Sequence, residues 1–151
     1  LMRAVLQVVR SASVECEGKT VSQIEKGFLV LLGVTKQDTQ AEADALAAKI
    51  AGLRVFADEN GKMNLALDDV GGKVIVVSNF TLCADCGHGK RPSFINAQRP
   101  IQANELYEYF IKRLKFNGVP EVGKGVFGGD MLLHIENDGP VTIILDTDEW
   151  K

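Results

Sequence analysis

Alternating apolar and polar residues open the chain. Residues 3–10, 13–17 and 20–24 each place a branched or apolar side chain at roughly every second position, the period of a strand with one buried face, and Gly18 and Lys19 form the turn between the last two. Residues 27–34 are apolar throughout and bounded by glycines, which predicts a central strand buried on both faces. The period then lengthens. Thr39-Gln40-Ala41-Glu42 has the form of a capping box, and Leu46, Ile50 and Leu53 follow at four- and three-residue spacing beside Ala43 and Ala47, so a helix is expected from Thr39 to about Arg54. Turn-forming clusters at 58–61 and 68–72 leave 62–67 as a short strand or ordered loop. Residues 73–77 are again continuously apolar and lead into Ser78-Asn79-Phe80-Thr81-Leu82.

A polar loop over 83–93 precedes a second helix that starts near Pro100, presents Leu106, Phe110, Ile111 and Leu114 on one face, pairs Glu108 with Lys112, and closes at Asn117-Gly118. Residues 119–127 predict one more strand, interrupted by Gly123 and Gly125. Residues 131–136 and 141–145 read as two strands joined at Asn137-Asp138-Gly139-Pro140. Asp138-Gly139 is a hairpin signal, but Pro140 fixes its own φ, donates no N–H and restricts the residue before it. The local alternatives are a hairpin loop with proline starting the second strand, or a rigid corner whose carbonyls point at a ligand. Strands outnumber helices and are not interleaved with them. The expected fold is therefore α+β, one domain over residues 1–151, with a strongly curved, barrel-like mixed and antiparallel sheet and two main helices.

Composition narrows the class without deciding it. The hydrophobic fraction of 46% and charged fraction of 25% are those of an average globular chain. No apolar run approaches the ~20 residues of a membrane span, and no charged-then-apolar leader opens the chain, so no membrane partner and no signal peptide are expected. Three cysteines fit a reducing compartment better than a disulfide framework, which points to the cytoplasm. A net charge of −3 argues against a protein built on bulk nucleic-acid electrostatics but leaves room for contact with an RNA end.

Side-chain chemistry is sparse. Cys83, Cys86 and His88 lie close in sequence, but a zinc site needs further ligands at recognisable spacing, and a reduced loop pair is the better reading; no metal and no cofactor are expected. Ser78 and Thr81 have no evident base partner, since His134 sits in a strand and His88 in a glycine-flanked loop. Phosphate-cradling glycine motifs are absent from the sequence. What remains is main chain: amides near Phe80 and Thr81, at the end of a buried strand, could hold a developing oxyanion. Among the basic residues Lys90, Arg91, Arg99, Lys112, Arg113 and Lys115, contact with nucleic-acid phosphates competes with an ordinary solvated helix face.

Ser78-Asn79-Phe80-Thr81-Leu82 together with Asn137-Asp138-Gly139-Pro140-Val141-Thr142 resembles the two signature motifs of the bacterial and eukaryotic D-aminoacyl-tRNA deacylases. The resemblance extends over the whole chain, through Met2-Arg3-Ala4-Val5-Leu6-Gln7-Val8-Val9, Arg91-Pro92-Ser93-Phe94, Gly125-Val126-Phe127-Gly128 and Asp130-Met131. It implies an ester hydrolase acting on the tRNA 3′ end carrying a D-amino acid, and on glycyl esters. It also implies a homodimer in which a cis Gly139-Pro140 corner of each subunit reaches into the other's site. By position, Ser78, Phe80 and Thr81 would surround the ester as catalytic residues. Asn79, Phe127, Met131, Gly139 and Pro140 would bind the substrate, and water assisted by main-chain amides and the ribose hydroxyl would replace a protein nucleophile. The family usually has glutamine where this chain has Asn79, one methylene longer with the same amide groups. A nucleic-acid-binding module without catalysis, and a deacylase of shifted aminoacyl specificity, are the competing readings.

Overall fold

The computed structural model describes residues 1–150. Strand β1 (Arg3–Cys16) runs unbroken for 14 residues, where the sequence pattern splits it in two. The split is a change of phase and not a turn. Ala4, Leu6 and Val8 bury against one layer of the core, Val9, Ala12 and Val14 against the other, and the switch falls at the register irregularity between Val9 and Ser11. One strand thus serves two packing layers, and the sheet curls.

After a turn at Glu17 and Gly18, both at positive φ, β2 (Lys19–Ile24) folds back on the end of β1, and β3 (Gly27–Gly33) pairs antiparallel with its beginning. Helix α1 (Gln40–Gly52) starts on the expected capping box: the Thr39 N–H donates to Glu42 Oε1 at 2.8 Å and the Ala41 N–H donates to Thr39 Oγ1 at 3.3 Å. Its buried face is Ala43, Leu46, Ala47 and Ile50. The small ribbon β4 (Phe56–Ala57) and β5 (Met63–Leu65) leads to the single-turn helix α2 (Leu67–Val70).

Strand β6 (Lys73–Ser78) then lies parallel to β3. Helix α3 (Pro100–Phe116) has proline at its first position, where the missing N–H costs nothing, and buries Ala103, Tyr107, Phe110, Ile111 and Leu114. Glu108 is paired with Lys124 at 2.8 Å, and not with Lys112 as its helical spacing suggests. Strand β7 (Val122–Lys124) is much shorter than expected, because beyond it the chain leaves the sheet at a run of glycines. Strand β8 (Met131–Asp146) closes the sheet along the whole of β1.

The hairpin expected at 137–142 does not form. Residues 131–137 and 142–146 pair in one direction with the same neighbour, β1, and between the Gln7–Thr142 and Val9–Asn137 pairs the extra residues of β8 loop outward as a bulge. Pro140 sits in that bulge, where no ladder hydrogen bond is asked of it. The strand order is β2-β1-β3-β6-β7 with β8 on the other edge of β1, a nearly closed, barrel-like mixed sheet. α1 and α3 cover one face over the larger core cluster. The smaller cluster, Val9, Ala12, Val14, Ile24, Leu29, Ile75 and Val77, fills the concave side and opens at one end into a cavity.

Candidate active site

The cavity lies where the parallel strands β3 and β6 end side by side, in register at Leu32 and Ser78. Just past β6 the Asn79 N–H donates to Leu32 O at 2.8 Å, and the chain tightens into a 3₁₀ turn over Phe80–Cys83. The turn can settle on β3 because Gly33 beneath it has no side chain: a Cβ there would stand 2.9 Å from Leu82 Cβ and 3.4 Å from Asn79 O. Arg3 reaches over from β1, donating to Leu82 O at 3.3 Å while pairing with Asp146 at 3.1 Å. The Cys83 thiol points inward toward Val34 O at 3.5 Å, and burial, reinforced by the charge of Asp38, pushes it above the usual thiol range. Cys86 is exposed, so the two loop cysteines face different surroundings.

The first hydrogen bond of the turn runs from the Leu82 N–H to Asn79 O at 3.2 Å. The amides of Phe80 and Thr81 precede it, as the leading amides of any helical turn do. The Thr81 hydroxyl donates to Asn79 Oδ1, joining the two polar side chains of the motif.

The loop that follows is folded back over the turn. Asp85 and Ser93 exchange main-chain bonds of 2.8 Å, Lys36 N–H donates to Asn96 O at 3.1 Å, and Gln98 N–H donates to Val34 O at 2.9 Å. Phe94 thereby meets Phe80 edge to face, ring centres 5.1 Å apart. On the opposite side, Gly125 follows β7 with its N–H on Val76 O at 3.3 Å, and a Cβ on it would come 2.6 Å from the Met131 sulfur. That sulfur accepts from the Val126 N–H at 3.3 Å. Phe127 packs 6.0 Å from Tyr107, whose hydroxyl donates to Val76 O at 2.7 Å. Burial pushes the Tyr107 phenol far above its usual range.

The enclosed space is about 780 Å³, within the size range of small-molecule sites. Leu31, Val77, Met131 and Leu133 make it apolar, and Ser78, Asn79, Phe80 and Phe127 stand along it. Five of the eight residues expected at a site therefore share one cavity. Thr81 belongs to the same turn but is exposed beside it, and Gly139 and Pro140 lie on the exposed β8 bulge, outside the cavity lining. Their peptide bond is cis, Gly139 has φ +133, and the bulge is held by the Val141 N–H on Asn137 Oδ1 at 3.0 Å and by Arg10 facing Asp138 at 3.4 Å.

Leu31, Leu133 and Lys36 line the site without any signal in the sequence, and the only signal at Asp130 and Phe94 is their place beside motif residues. Arg113, one of the basic residues considered for phosphate contact, is engaged elsewhere, 2.9 Å from Asp44 and stacked 4.1 Å from the Phe116 ring. His134 is exposed on β8, 3.3 Å from Glu15.

Among the described residues neither histidine nor cysteine lines the cavity, whose polar side chains are one serine, two amides and three charges. Fold and site together define a compact α+β domain with a largely apolar pocket at the ends of its two parallel central strands. The family model described as D-Tyr-tRNA(Tyr) deacylase matches residues 5–146, and the chain belongs to that family. Among its relatives, the D-aminoacyl-tRNA deacylase of Clostridioides difficile (strain 630) is 53% identical over 146 residues, covering 97% of each chain. That of Lacticaseibacillus casei (strain BL23) is 56% identical over 147 residues, covering 97% of this chain and 99% of the relative. Of solved structures, a c-Myc DNA Unwinding Element Binding Protein superposes with a TM-score of 0.89 at 40% identity, over 95% of this chain and 97% of that one. A structure described as a probable eukaryotic D-amino acid tRNA deacylase superposes with a TM-score of 0.79 at 16% identity, over 95% of this chain and 98% of that one, a likeness of fold alone.

Proposed function

We propose that this chain hydrolyses the ester joining a D-amino acid, or glycine, to the 3′-terminal adenosine of tRNA, releasing free amino acid and tRNA. The observation that carries the reading is the turn at Phe80–Cys83: in a chain of this family, its leading amides, Phe80 on the lining and Thr81 beside it, stand next to an apolar cavity large enough for an aminoacyl nucleoside. Water adds to the ester carbonyl, the amides of Phe80 and Thr81 hold the oxyanion, and collapse breaks the bond to the ribose oxygen, with the adjacent ribose hydroxyl assisting. Ser78 and Asn79 line the approach, and Phe127 and Met131 take the side chain.

Chirality is read by exclusion. Gly139 and Pro140 stand outside the cavity of their own chain, so a second copy has to bring its corner to the mouth, which makes the working unit a homodimer. A rigid corner there admits a D ester and obstructs an L ester, selectivity by what cannot enter. Glycine, with no side chain to obstruct, passes.

Matched D- and L-aminoacyl-tRNA, identical except at the α-carbon, test this directly. The D ester should be cleared while the L ester persists, and Thr81→Ala should keep activity within about tenfold of the parent. Loss of ~10⁴-fold or more in a folded Thr81→Ala protein would restore a hydroxyl nucleophile. One similar structure carries a DNA-binding name. Binding of tRNA with no turnover of either ester would favour that reading instead.

A further inference from the structure

Three charged side chains line the cavity: Lys36, Arg99 and Asp130. All three are exposed, and none has an ion-pair or side-chain hydrogen-bond partner among the described residues. Some charges of the chain are satisfied internally, as in Arg3 with Asp146, Lys73 with Glu121 and Lys124 with Glu108, whereas these three face the cavity unpaired. The unspent charges are also sorted. Lys36 and Arg99 belong to one wall, because Gln98 bonds to Val34 O and Lys36 O there and leads directly into Arg99. That wall carries the start of α3, whose first turn has no acidic residue and no side-chain cap, so its dipole adds to the positive end. Asp130 stands on another wall, at the start of β8 beside Met131, whose strand pairs with the far end of β1.

An aminoacyl-tRNA 3′ end carries the complementary pattern: a phosphodiester on the 5′ side of the terminal adenosine and a protonated α-amine on the acyl group. We infer that Lys36 and Arg99 hold that phosphodiester and Asp130 holds the α-ammonium, so that the charges of the cavity fix which way the ester enters. The inference rests on the function proposed above. It assigns Asp130 as a binding residue for the amine, and it gives the basic wall a task limited to the last phosphate and not the body of the tRNA.

Two truncated substrates separate the ends. D-aminoacyl-adenosine lacks the phosphodiester, and N-acetyl-D-aminoacyl-tRNA lacks the ammonium charge. Lys36→Ala with Arg99→Ala should lower kcat/KM on D-aminoacyl-tRNA about tenfold, weaken its salt dependence, and leave D-aminoacyl-adenosine unchanged. Asp130→Asn should lower kcat/KM about tenfold on both free-amine substrates and leave the N-acetyl ester unchanged. The three positions are exposed, so the variants should melt with the parent. The assignment falls if Asp130→Asn slows the acetylated and free esters alike, if the double variant slows D-aminoacyl-adenosine as much as the tRNA ester, or if neither variant changes any rate. Failure of the parent protein to hydrolyse any D ester would instead overturn the proposed activity.

Discussion

The two motifs that mark this chain are built in opposite ways. The Ser78–Thr81 turn is anchored from below by Gly33 and Leu32 and from the side by Arg3, and Cys83 just past it is buried. The Gly139–Pro140 bulge is exposed, held by its own Asn137 and by a contact between the exposed Arg10 and the half-exposed Asp138. The first is a product of the chain's own core. The second is displayed on the surface, where its stiffness does nothing for the cavity of the same chain. Under the proposed function, this division separates the part positioned for chemistry from the part that inspects the substrate.

Three substitutions probe that division. The largest effect is expected from Gly139→Ala. At φ +133 the new Cβ would stand 2.7 Å from Val141 Cγ2 and 2.9 Å from Val141 N, so the corner must move. Since a misplacement of ~1 Å at a site costs on the order of 10²-fold in rate, kcat/KM on D esters should fall at least that far while the melting temperature moves by only a few degrees. A variant with full rate and full discrimination would remove the bulge from the site.

Gly33→Ala should show the reverse emphasis. Its Cβ would be 2.9 Å from Leu82 Cβ, close to main chain that cannot swing away, and overpacking of this kind costs ~1–3 kcal/mol. At ~2–4 °C per kcal/mol for a chain of this size, thermal melting should fall by several degrees, with activity falling alongside it. If activity were lost with no change in melting, the anchored turn would be as separable from the core as the bulge.

Tyr107→Phe is the smallest. It removes a buried hydroxyl from Val76 O, which retains the Gly125 N–H at 3.3 Å, so the loss should be ~1 kcal/mol with kcat/KM within about twofold. The same phenol gives a pH signature. Because the folded state raises its pKa, the neutral form is favoured on folding, and its contribution to stability should fade as pH climbs past the phenol's ordinary value near ~10. Denaturant midpoints above that pH should decline less in Tyr107→Phe than in the parent.

What the sequence made legible was local. The Thr39–Glu42 box is a rule about four consecutive residues, and the helix begins where it says. Residues 27–33 are apolar without alternation because both faces of β3 are covered, and the strand appears accordingly. The proline corner misled because a hairpin and a bulge share the same local chemistry. Which one forms depends on whether the two flanking segments pair with each other or with a third strand, and β1, more than a hundred residues away, takes both. Of the cavity charges only Arg99 belongs to a basic set legible in the sequence; Lys36 and Asp130 do not, because the three share a cavity only through the tertiary fold. The strand expected at 119–127 shrinks to Val122–Lys124 because the glycines that interrupt its pattern are where the chain departs to wall the cavity.

The pairing of β8 with β1 also bears on how the protein comes into being. Arg3 faces Asp146 and Cys16 faces Met131, so β1 waits for a strand made more than a hundred residues later. Until then the concave layer has one flank open, and Met131 and Leu133, half the apolar lining named above, have not been made. A nascent chain arrested before β8 would carry the helices and the parallel strands but no enclosed pocket, and β1 would offer a bare edge to any passing strand. The pocket is in this sense gained at one step, when β8 closes on β1, and not accumulated along the chain.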